Sequence, residues 1–305
     1  MTTVAFDTSN YTSSMASYDG HCLHNVSRLL DVRPGELGLR QSDALFSHIK
    51  NLPEIAKELF GKKLPSIDCV GVSTRPRNLE GSYMPCFLAG VSSAAVLAEA
   101  LDVPLFEFSH QEGHIAAVLF SSGRTDLKDS PFLAWHLSGG TTELLHVCPE
   151  GKHFSCRKIG GTTDISAGQI IDRTGKHLML PFPSGKAIDS LAAASDCRKF
   201  FKIKNDGCYF SVSGLENKML DFSESASGPE DTARYVLHSL TDLIQRVTAQ
   251  ALKDYPGSYV IFSGGVSSNS LLRKEMAEYP AVFGEAKYST DNAGGIAVLS
   301  KWMMD

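Results

Sequence analysis

The chain has 305 residues and a mass of 33.0 kDa, which is enough for about two domains of ~150 residues each. Hydrophobic residues make up 43% of the sequence, and this excludes an intrinsically disordered protein. Lys and Arg total 29 against 34 Asp and Glu, so the net charge of −5 disfavours a protein coated with nucleic acid or bound to an anionic membrane, but permits a local basic patch.

The first half of the chain alternates between strands and helices after an all-strand start. Short runs of strand-forming residues separated by turn residues predict three strands, at residues 4–6, 12–18 and 21–26. Longer periodic segments then predict helix 43–60, strand 69–73, helix 84–101, strand 105–108 and helix 110–120.

The second half repeats this order of elements. It predicts strands 132–137, 142–147 and 154–158, helix 165–178, an insertion, helix 234–255, strand 259–262, helix 269–279, strand 282–283 and helix 292–303. Two duplicated βββαβαβα lobes around a nucleotide cleft are the α/β architecture of actin-like ATPases and sugar kinases. We expect an N-terminal lobe of residues 1–125 completed by the C-terminal helix 290–305, and a C-terminal lobe of residues 131–289 with an insertion at about 180–230. Two ordinary α/β domains in tandem would give the same order.

The sequence carries no sign of export or membrane insertion. Its apolar runs are shorter than the ~20 residues of a membrane span, and residues 1–7 lack the basic and apolar regions of a signal peptide. The seven cysteines form no Cys-x-x-Cys pair, which fits buried thiols in a reducing compartment better than a disulfide framework. We therefore expect a cytoplasmic protein without a membrane partner.

Three turns rich in small residues directly follow predicted strands, at residues 7–9, 138–142 and 263–265. Glycine lets the backbone approach a phosphate, and successive N–H groups in such a turn bind anions. The Gly139–Gly140 and Gly264–Gly265 pairs therefore favour a nucleotide site over simple turns. The sequence contains neither a Walker motif nor Gly-x-Gly-x-x-Gly, which argues against a P-loop enzyme and a dinucleotide oxidoreductase.

A histidine pair opens the predicted helix 110–120. His110 and His114 are four residues apart, so both lie on one helix face and can chelate a metal. Gln111 stands where a zincin has its glutamate, and Ser109-x-x-Glu112 is a capping box, so metalloprotease chemistry is disfavoured. Asp291 is the carboxylate that the duplicated topology best places as third ligand. The alternative is a polar helix start in water.

These segments together resemble the tRNA threonylcarbamoyladenosine synthase family, earlier described as sialoglycoprotein endopeptidases, from Val4 to about Ala297. Seven segments carry the resemblance, and they occur along the chain in the same order as in the family. They are 110–114 (HQEGH), 137–141 (LSGGT), 164–172 (DISAGQIID), 181–189 (PFPSGKAID), 210–215 (FSVSGL), 263–269 (SGGVSSN) and 288–293 (YSTDNA). It implies transfer of a threonylcarbamoyl group from threonylcarbamoyl-AMP to the exocyclic amine of a tRNA adenosine, helped by a divalent metal acting as a Lewis acid.

The resemblance also assigns residues, cofactors and partners. It implies metal ligands His110, His114 and Asp291, catalytic-site residues Asp7 and Ser9, and nucleotide or substrate contacts at Ser138, Gly139, Gly140, Thr141, Asp172, Gly185, Asp189, Gly264, Gly265 and Asn269. The implied cofactors are one Fe or Zn ion and an adenine nucleotide, ATP or AMP, with Mg. The implied partners are tRNA and either a smaller family relative as heterodimer partner or a second copy, docked on apolar residues of helix 84–101 that remain exposed.

The chain departs from the family pattern, which makes it a divergent member. Tyr11 and Thr12 replace two acidic residues, Thr141 replaces a histidine, and residues 74–82, with Arg75 and Arg77, replace a Gly-Pro-Gly turn. Two alternatives follow: a regulatory paralogue that binds nucleotide and metal without transfer, and a carbamoyl transferase acting on another acceptor. A small-molecule kinase is disfavoured, because it needs no histidine pair. The basic run 198–204 is a candidate RNA contact that can equally be solvated surface.

Overall fold

A computed structural model describes residues 1–9, 11–31, 39–61, 66–289 and 292–305. The chain forms two compact units. Unit 1 comprises Met1–Lys128, Pro149–Ser155 and Thr290–Asp305, and unit 2 comprises Asp129–Cys148 and Cys156–Ser289. Within the described ranges, every helix is too short or too polar to cross a membrane.

Unit 1 is built on a five-stranded sheet of order β3-β2-β1-β4-β5. Its elements are β1 (Thr2–Asp7), β2 (Thr12–Tyr18), β3 (Leu23–Leu29), α1 (Gln41–Phe60), β4 (Ile67–Arg75), α2 (Leu88–Leu101), β5 (Leu105–Ser109), α3 (His110–Ser121) and, near the end of the chain, α9 (Gly294–Met304). The first three strands are antiparallel, whereas β4 and β5 run parallel to β1. The carboxyl ends of β1, β4 and β5 therefore meet at one edge of the sheet.

Alternation along β4 explains how helices cover both faces of this sheet. Val70 and Val72 join the apolar core formed with α1 and α2. Gly71, between them, faces α9, and a Cβ there would lie 2.0 Å from the Ser300 hydroxyl. Because successive side chains of a strand point to opposite faces, α9 packs on the face opposite α1 and α2.

Unit 2 repeats this sheet and extends it, with strand order β12-β11-β6-β7-β8-β10-β9. Its elements are β6 (Phe132–Leu137), β7 (Thr142–Glu150), β8 (His153–Thr162), α4 (Ala167–His177), α5 (Gly185–Ala193), β9 (Asn205–Asp206), β10 (Tyr209–Phe210), α6 (Gly214–Ser223), α7 (Pro229–Asp254), β11 (Val260–Ser263), α8 (Ser270–Glu275) and β12 (Ala281–Phe283). The turn between β7 and β8 clusters with unit 1. β11 lies parallel to β6 and to β12, as β4 does to β1 and β5.

The core of unit 2 lies between this sheet and helices α4 to α8. Trp135 on β6 is fully buried, and its indole N–H donates to the Thr248 hydroxyl of α7 at 2.9 Å. A buried indole needs such a partner, because an unpaired donor in the core would be costly. This contact fixes the long helix α7 against β6, an interior strand of the sheet.

Several predicted element boundaries need correction. The expected helix 84–101 starts as a short 3₁₀ turn, Pro85–Phe87, and the expected helix 269–279 ends at Glu275. The helix expected at 234–255 begins five residues earlier, because Pro229 occupies its first position, where the missing N–H costs nothing. The insertion at 180–230 also contains α5, β9, β10 and α6, which the sequence pattern did not predict, since each is only two to ten residues long.

Candidate functional site

The carboxyl ends of β1 and β5 bring Asp7 and His110 together in unit 1. Asp7 is 1% exposed, and its Oδ2 lies 2.7 Å from His110 Nδ1. Its other oxygen, Oδ1, accepts a hydrogen bond from the Ser9 backbone N–H at 2.9 Å. Since an ionised carboxylate can only accept, His110 Nδ1 is the donor of this hydrogen bond. Asp7 therefore orients this imidazole.

The two histidines lie side by side on the first turns of α3. The ring centroids of His110 and His114 are 4.4 Å apart, with an angle of 74° between the planes. His114 is only 5% exposed, and the His110 side chain is 17% exposed. Two imidazoles at this spacing, with a carboxylate behind one of them, are a donor set that suits zinc or iron.

Glu112, between the histidines, has a structural task. It forms the predicted capping box: Oε2 accepts hydrogen bonds from the Ser109 N–H and hydroxyl, both at 2.7 Å. Its Oε1 lies 3.0 Å from His153 Nδ1 and also accepts from the Phe154 N–H at 3.3 Å. Both oxygens are thus engaged and the residue is fully buried. Glu112 holds the start of α3 and is not placed to act as a base.

The predicted third ligand, Asp291, lies outside the described residues, and so does Asn10. Among the residues the structure does describe, no group of three His, Cys, Asp or Glu side chains is close enough to hold a metal ion. The chain just after Asp291 approaches the histidine helix closely: a Cβ on Gly295 would lie 1.8 Å from the Gly113 carbonyl oxygen. Helices α3 and α9 can cross at this distance only because both positions are glycine.

Ser9 is 3% exposed, and its hydroxyl has no hydrogen-bond partner within the described part of the chain. Tyr11 and Thr12, at the positions of the missing acids, are half-buried. The Tyr11 carbonyl accepts from the Leu30 N–H at 2.7 Å, which places this residue at the start of the β2–β3 hairpin. The departure from the family pattern leaves the hairpin intact and removes two negative charges close to Asp7 in sequence.

In unit 2, the predicted glycine loops follow neighbouring parallel strands. Ser263, the last residue of β11, pairs with His136 on β6, so the loops after both strands emerge side by side. Residues 138–141 form a closed turn in which the Thr141 N–H donates to the Ser138 hydroxyl oxygen at 3.1 Å. Gly139 and Gly140 are exposed, with open space where a Cβ would stand. Their backbone is accessible to a ligand.

Helix α4 packs tightly against the first loop. A Cβ on Gly168 would lie 2.5 Å from both the Gly139 Cα and the Ser138 carbonyl oxygen. The Ser166 hydroxyl donates to the Gly139 carbonyl at 2.6 Å. Ser166 also forms a capping box with Gln169, which is absent from the sequence predictions above. The Ser-x-x-Gln spacing was the signal that would have found it.

The two glycines after β11 have different roles. Gly264 has φ +87°, and a Cβ there would lie 2.3 Å from the Leu137 carbonyl oxygen. Gly265 has an ordinary φ and open space around its Cβ position. Gly264 is therefore needed by the fold itself, whereas a side chain at Gly265 would disturb only what approaches from outside.

The remaining predicted contacts form two small clusters in unit 2. Asp172 Oδ1 accepts from the Ser184 N–H at 2.8 Å, next to Gly185, and burial raises the pKa of the Asp172 carboxyl although this hydrogen bond lowers it. Asp189 Oδ1 accepts from Asn269 Nδ2 at 2.7 Å and from the Ser270 N–H at 3.0 Å. The structure thus brings Asp189 and Asn269 together, as it does Asp172 and the loop before Gly185.

Asp164 is an organising residue that the sequence reasoning missed. Its carboxylate accepts hydrogen bonds from the hydroxyls of Ser211 and Thr162 and from the backbone N–H groups of Val212 and Ser213. Partial burial alone would raise the pKa of Asp164, but these hydrogen bonds outweigh it and hold the pKa far below its usual range. Asp164 therefore ties the segment before α4 to the segment before α6.

The basic segments have largely local contacts. Arg75 donates to Asn78 Oδ1 at 2.8 Å and to the Thr74 hydroxyl at 3.1 Å. In the run 198–204, Phe200 is 39% exposed and its ring lies 4.7 Å from that of His238. The RNA contact expected there stays a prediction.

Comparison with solved structures shows the fold class to which the chain belongs. The chain aligns over 99% of its length with full-length HypF in its phosphate- and nucleotide-bound form, with a TM-score of 0.61 and 14% identity, and spans 47% of that protein. It aligns over its whole length with 96% of the activator of 2-hydroxyisocaproyl-CoA dehydratase from Clostridium difficile, with a TM-score of 0.56 and 16% identity. At such identities the likeness shows the fold, and it confirms the predicted actin-like ATPase fold.

Sequence comparison then defines the family. The profile of tRNA N6-adenosine threonylcarbamoyltransferase matches residues 37–298. The enzyme of that name from Christiangramia forsetii is 30% identical over 96% of this chain and 90% of its own length. That from Geotalea daltonii is 31% identical over 82% of this chain and 76% of its own length. The chain belongs to the tRNA N6-adenosine threonylcarbamoyltransferase family, as its sequence motifs predicted.

Proposed function

We propose that this protein transfers a threonylcarbamoyl group from threonylcarbamoyl-AMP to the exocyclic amine of an adenosine in tRNA. The observation that carries the proposal is the His110–His114 pair, at the family's metal motif, with Asp7 hydrogen-bonded to His110 Nδ1 at 2.7 Å. A pair of surface histidines would have no need of a buried carboxylate that orients one of them. The arrangement is that of metal ligands prepared for binding.

The residues in unit 1 fit a divalent metal. His110 and His114 would hold it together with Asp291, and imidazole with carboxylate favours iron or zinc. When bound, the metal would supply Lewis-acid stabilisation of charge at the carbonyl of the transferred group. Asp7 accepts the hydrogen bond from His110 Nδ1, so Nε2 would be the ring nitrogen that binds the metal. Glu112, fixed by the capping box, keeps α3 in place behind both histidines.

The glycine loops of unit 2 would bind the adenine nucleotide portion of the donor, with Mg where ATP is the nucleotide. Exposed backbone at Gly139, Gly140 and Gly265 leaves room for phosphate oxygens close to the main chain. Asp172 and the Asp189–Asn269 pair add fixed polar groups. A pocket made from backbone and short polar groups fits a phosphate ester better than an apolar ligand.

The chemistry asks for no nucleophile from the protein, because the attacking group is the amine of the adenosine. Ser9 would then serve as a binding hydroxyl close to Asp7. An acid that helps to position or deprotonate a nucleophile contributes ~100- to 10,000-fold. Since Tyr11 and Thr12 replace two acids, we expect transfer to be slower than in relatives that keep them.

Unit 1 also offers a surface for a protein partner. Val96 on α2 is 69% exposed, and Leu88 and Leu101 on the same helix are 46% and 43% exposed. On α1, Phe46 and Ile49 are 64% and 56% exposed. These two helices would dock a smaller relative of the same fold or a second copy of the chain. All seven cysteines are free thiols, consistent with action in the cytoplasm.

The proposal is tested with purified protein, threonylcarbamoyl-AMP labelled in its threonine, and tRNA. The wild-type chain should transfer label to tRNA, and His114→Ala should not. Nucleotide binding without any transfer, in the presence of added iron or zinc, would instead support the regulatory paralogue. Label on a different acceptor in a cell extract would support the carbamoyl-transferase alternative.

A further inference from the structure

The segment between α4 and α5 presents two large apolar side chains to water. Met179 is 92% exposed and Phe182 is 76% exposed. Among the described residues, no other large hydrophobic side chain is as exposed as either of them. We call residues 179–183 the apolar tip. Large apolar side chains that stand exposed next to one another, unlike single ones, mark interaction sites.

The apolar tip is held rigidly on both sides. On the α4 side, the Leu180 N–H donates to the Gly175 carbonyl at 2.8 Å. On the α5 side, the Ser184 hydroxyl donates to the Pro181 carbonyl at 3.0 Å, and the Ser184 N–H donates to Asp172 Oδ1. The two sides also touch, because a Cβ on Gly175 would lie 2.0 Å from the Ser184 hydroxyl. The backbone that carries the exposed side chains is thus held in place, next to Asp172 of the predicted nucleotide site.

Met179 occupies a position at which glycine is usual. The Leu180-to-Gly175 hydrogen bond is that of a Schellman motif, in which the residue after the helix cap takes a left-handed conformation. Met179 has φ +56°, a conformation that side chains other than Gly and Asn rarely adopt. A bulky residue kept there in spite of local strain, and almost wholly in water, points to a use of the side chain.

Charge indicates what the tip would contact. Lys176, at the end of α4, and Lys186, in the first turn of α5, flank the tip and are exposed. Within the described ranges, neither lysine lies within 4.0 Å of a carboxylate oxygen. An aromatic side chain between unpaired cations is the combination with which proteins bind single-stranded nucleic acid, the ring stacking on a base and the cations on phosphates.

The basic run 198–204 is less suited than the apolar tip to stacking on a base. Its aromatic residue Phe200 is 39% exposed, and its ring already lies against His238. Lys199 lies over the Phe222 ring at 5.9 Å. The exposed ring of Phe182 makes it the better stacking platform.

We propose that Phe182, assisted by Met179, stacks on an unpaired base in the loop of tRNA that contains the acceptor adenosine, with Lys176 and Lys186 contacting the adjoining phosphates. This inference rests on the proposed function for the identity of the RNA. It makes the apolar tip a substrate-positioning surface that recognises single-stranded loop RNA by its bases, and duplex RNA only weakly.

The test measures binding of the full-length protein to a fluorescein-labelled RNA hairpin with an anticodon stem and loop, by anisotropy at low salt. Phe182→Ala should weaken binding about tenfold, in line with base stacking on aromatic residues. Phe182→Tyr retains an aromatic ring and should bind as the wild type does. Met179→Gly removes the side chain and relieves the left-handed strain, so it should keep or raise the Tm yet weaken binding. Tyr83→Ala, at an aromatic residue of unit 1 that is 63% exposed, is the matched control and should leave hairpin binding unchanged.

Equal hairpin affinities for wild type, Phe182→Ala and Met179→Gly would overturn the inference, as would equal affinity for the hairpin and for a blunt RNA duplex of the same length. Loss of a co-purifying protein on Phe182→Ala, with RNA binding unchanged, would overturn it in favour of a protein partner. The proposed function fails separately. A wild-type chain that binds the hairpin through Phe182 but transfers no label refutes the transfer and leaves the tip's role standing. Conversely, if the wild-type chain transfers label but Phe182→Ala leaves the KM for tRNA unchanged, the proposed function stands and the role of the apolar tip is refuted.

Discussion

Units 1 and 2 have the same arrangement of five strands but place different chemistry at their strand ends. In unit 1, β1 ends at the carboxylate of Asp7, and β5 leads directly into the first turns of α3 with the imidazoles of His110 and His114. In unit 2, the end of β6, the counterpart of β1, carries Gly139–Gly140, and the end of β11, the counterpart of β4, carries Gly264–Gly265; both offer backbone. In a duplicated fold, the strand ends of both units are thus the places where ligands bind. The residues in the turns determine whether side chains or backbone groups contact the ligand.

The comparison separates the expected effects of mutation. Substitutions at the strand ends of unit 1 should change metal binding and leave nucleotide binding unaltered. Substitutions at the glycine loops of unit 2 should do the opposite, unless they strain the loop itself.

The largest effect is expected for His114→Ala. Two remaining ligands rarely hold a divalent ion against buffer, so metal content should fall from close to one ion per chain to background, and transfer should be lost. Metal analysis by mass spectrometry measures this directly. His24→Ala, at an exposed histidine of β3 in the same unit, is the control. Equal metal content in wild type and His114→Ala would remove the metal site from unit 1.

The two glycines after β11 should respond differently to alanine. Gly264→Ala should lower the free energy of unfolding by about 3 kcal/mol, because φ is +87° and the new Cβ meets the Leu137 carbonyl. Gly265→Ala should leave the Tm unchanged and reduce the Tm increase caused by ATP, which at a hundredfold excess over Kd corresponds to about 2.7 kcal/mol. An unchanged ATP effect in Gly265→Ala would place the nucleotide elsewhere.

A smaller effect is expected for Asp7→Asn. The amide cannot hold the proton on His110 Nδ1 as the carboxylate does, so metal affinity should fall roughly 10- to 100-fold. Competition with a chelator of known affinity measures the change, and Asp19→Asn, at an exposed acid of the same unit, serves as control. If Asp7→Asn abolished transfer at full metal occupancy, Asp7 would have a direct role in the reaction.

The smallest effect concerns pH and His48, buried on α1. Burial lowers the pKa of His48 from 6.5 to about 4. The unfolded chain takes up a proton below pH ~6.5 that the folded chain refuses until about pH 4, so unfolding should become easier as the pH falls between these values, by on the order of 2 kcal/mol. His48→Gln should flatten this dependence of the Tm on pH. An equally steep dependence in the variant would assign the acid sensitivity to other groups.

The features that could be predicted from the sequence are those that depend on residues close together along the chain. Strand β2 follows from a short run of strand-forming residues between turn residues, helix α3 begins at its capping box, and the histidine spacing places both rings on one face. Most strands of the two sheets were predicted in the same way, as short runs bounded by turn residues. Each of these features depends on neighbours within a few positions along the chain.

The contacts between distant segments could not be predicted in this way. The hydrogen bond from His110 to Asp7 spans 103 positions, and that from Asn269 to Asp189 spans 80. Asp164 gave no signal because its partners, Ser211 to Ser213, come together only when the chain folds. The exposure of Phe182 was likewise invisible, since an apolar residue before a proline is equally typical of a buried turn.

The central claim is tested most directly by mass spectrometry of tRNA nucleosides from cells that lack their own threonylcarbamoyl transferase and express this chain, with the adenylate-forming enzyme present. The account predicts threonylcarbamoyladenosine in the tRNA, at a level below that given by a relative with both acids after its first strand, and none with His114→Ala. The absence of the modified nucleoside from cells that contain folded, metal-loaded wild-type protein together with a smaller relative of the same fold would contradict it.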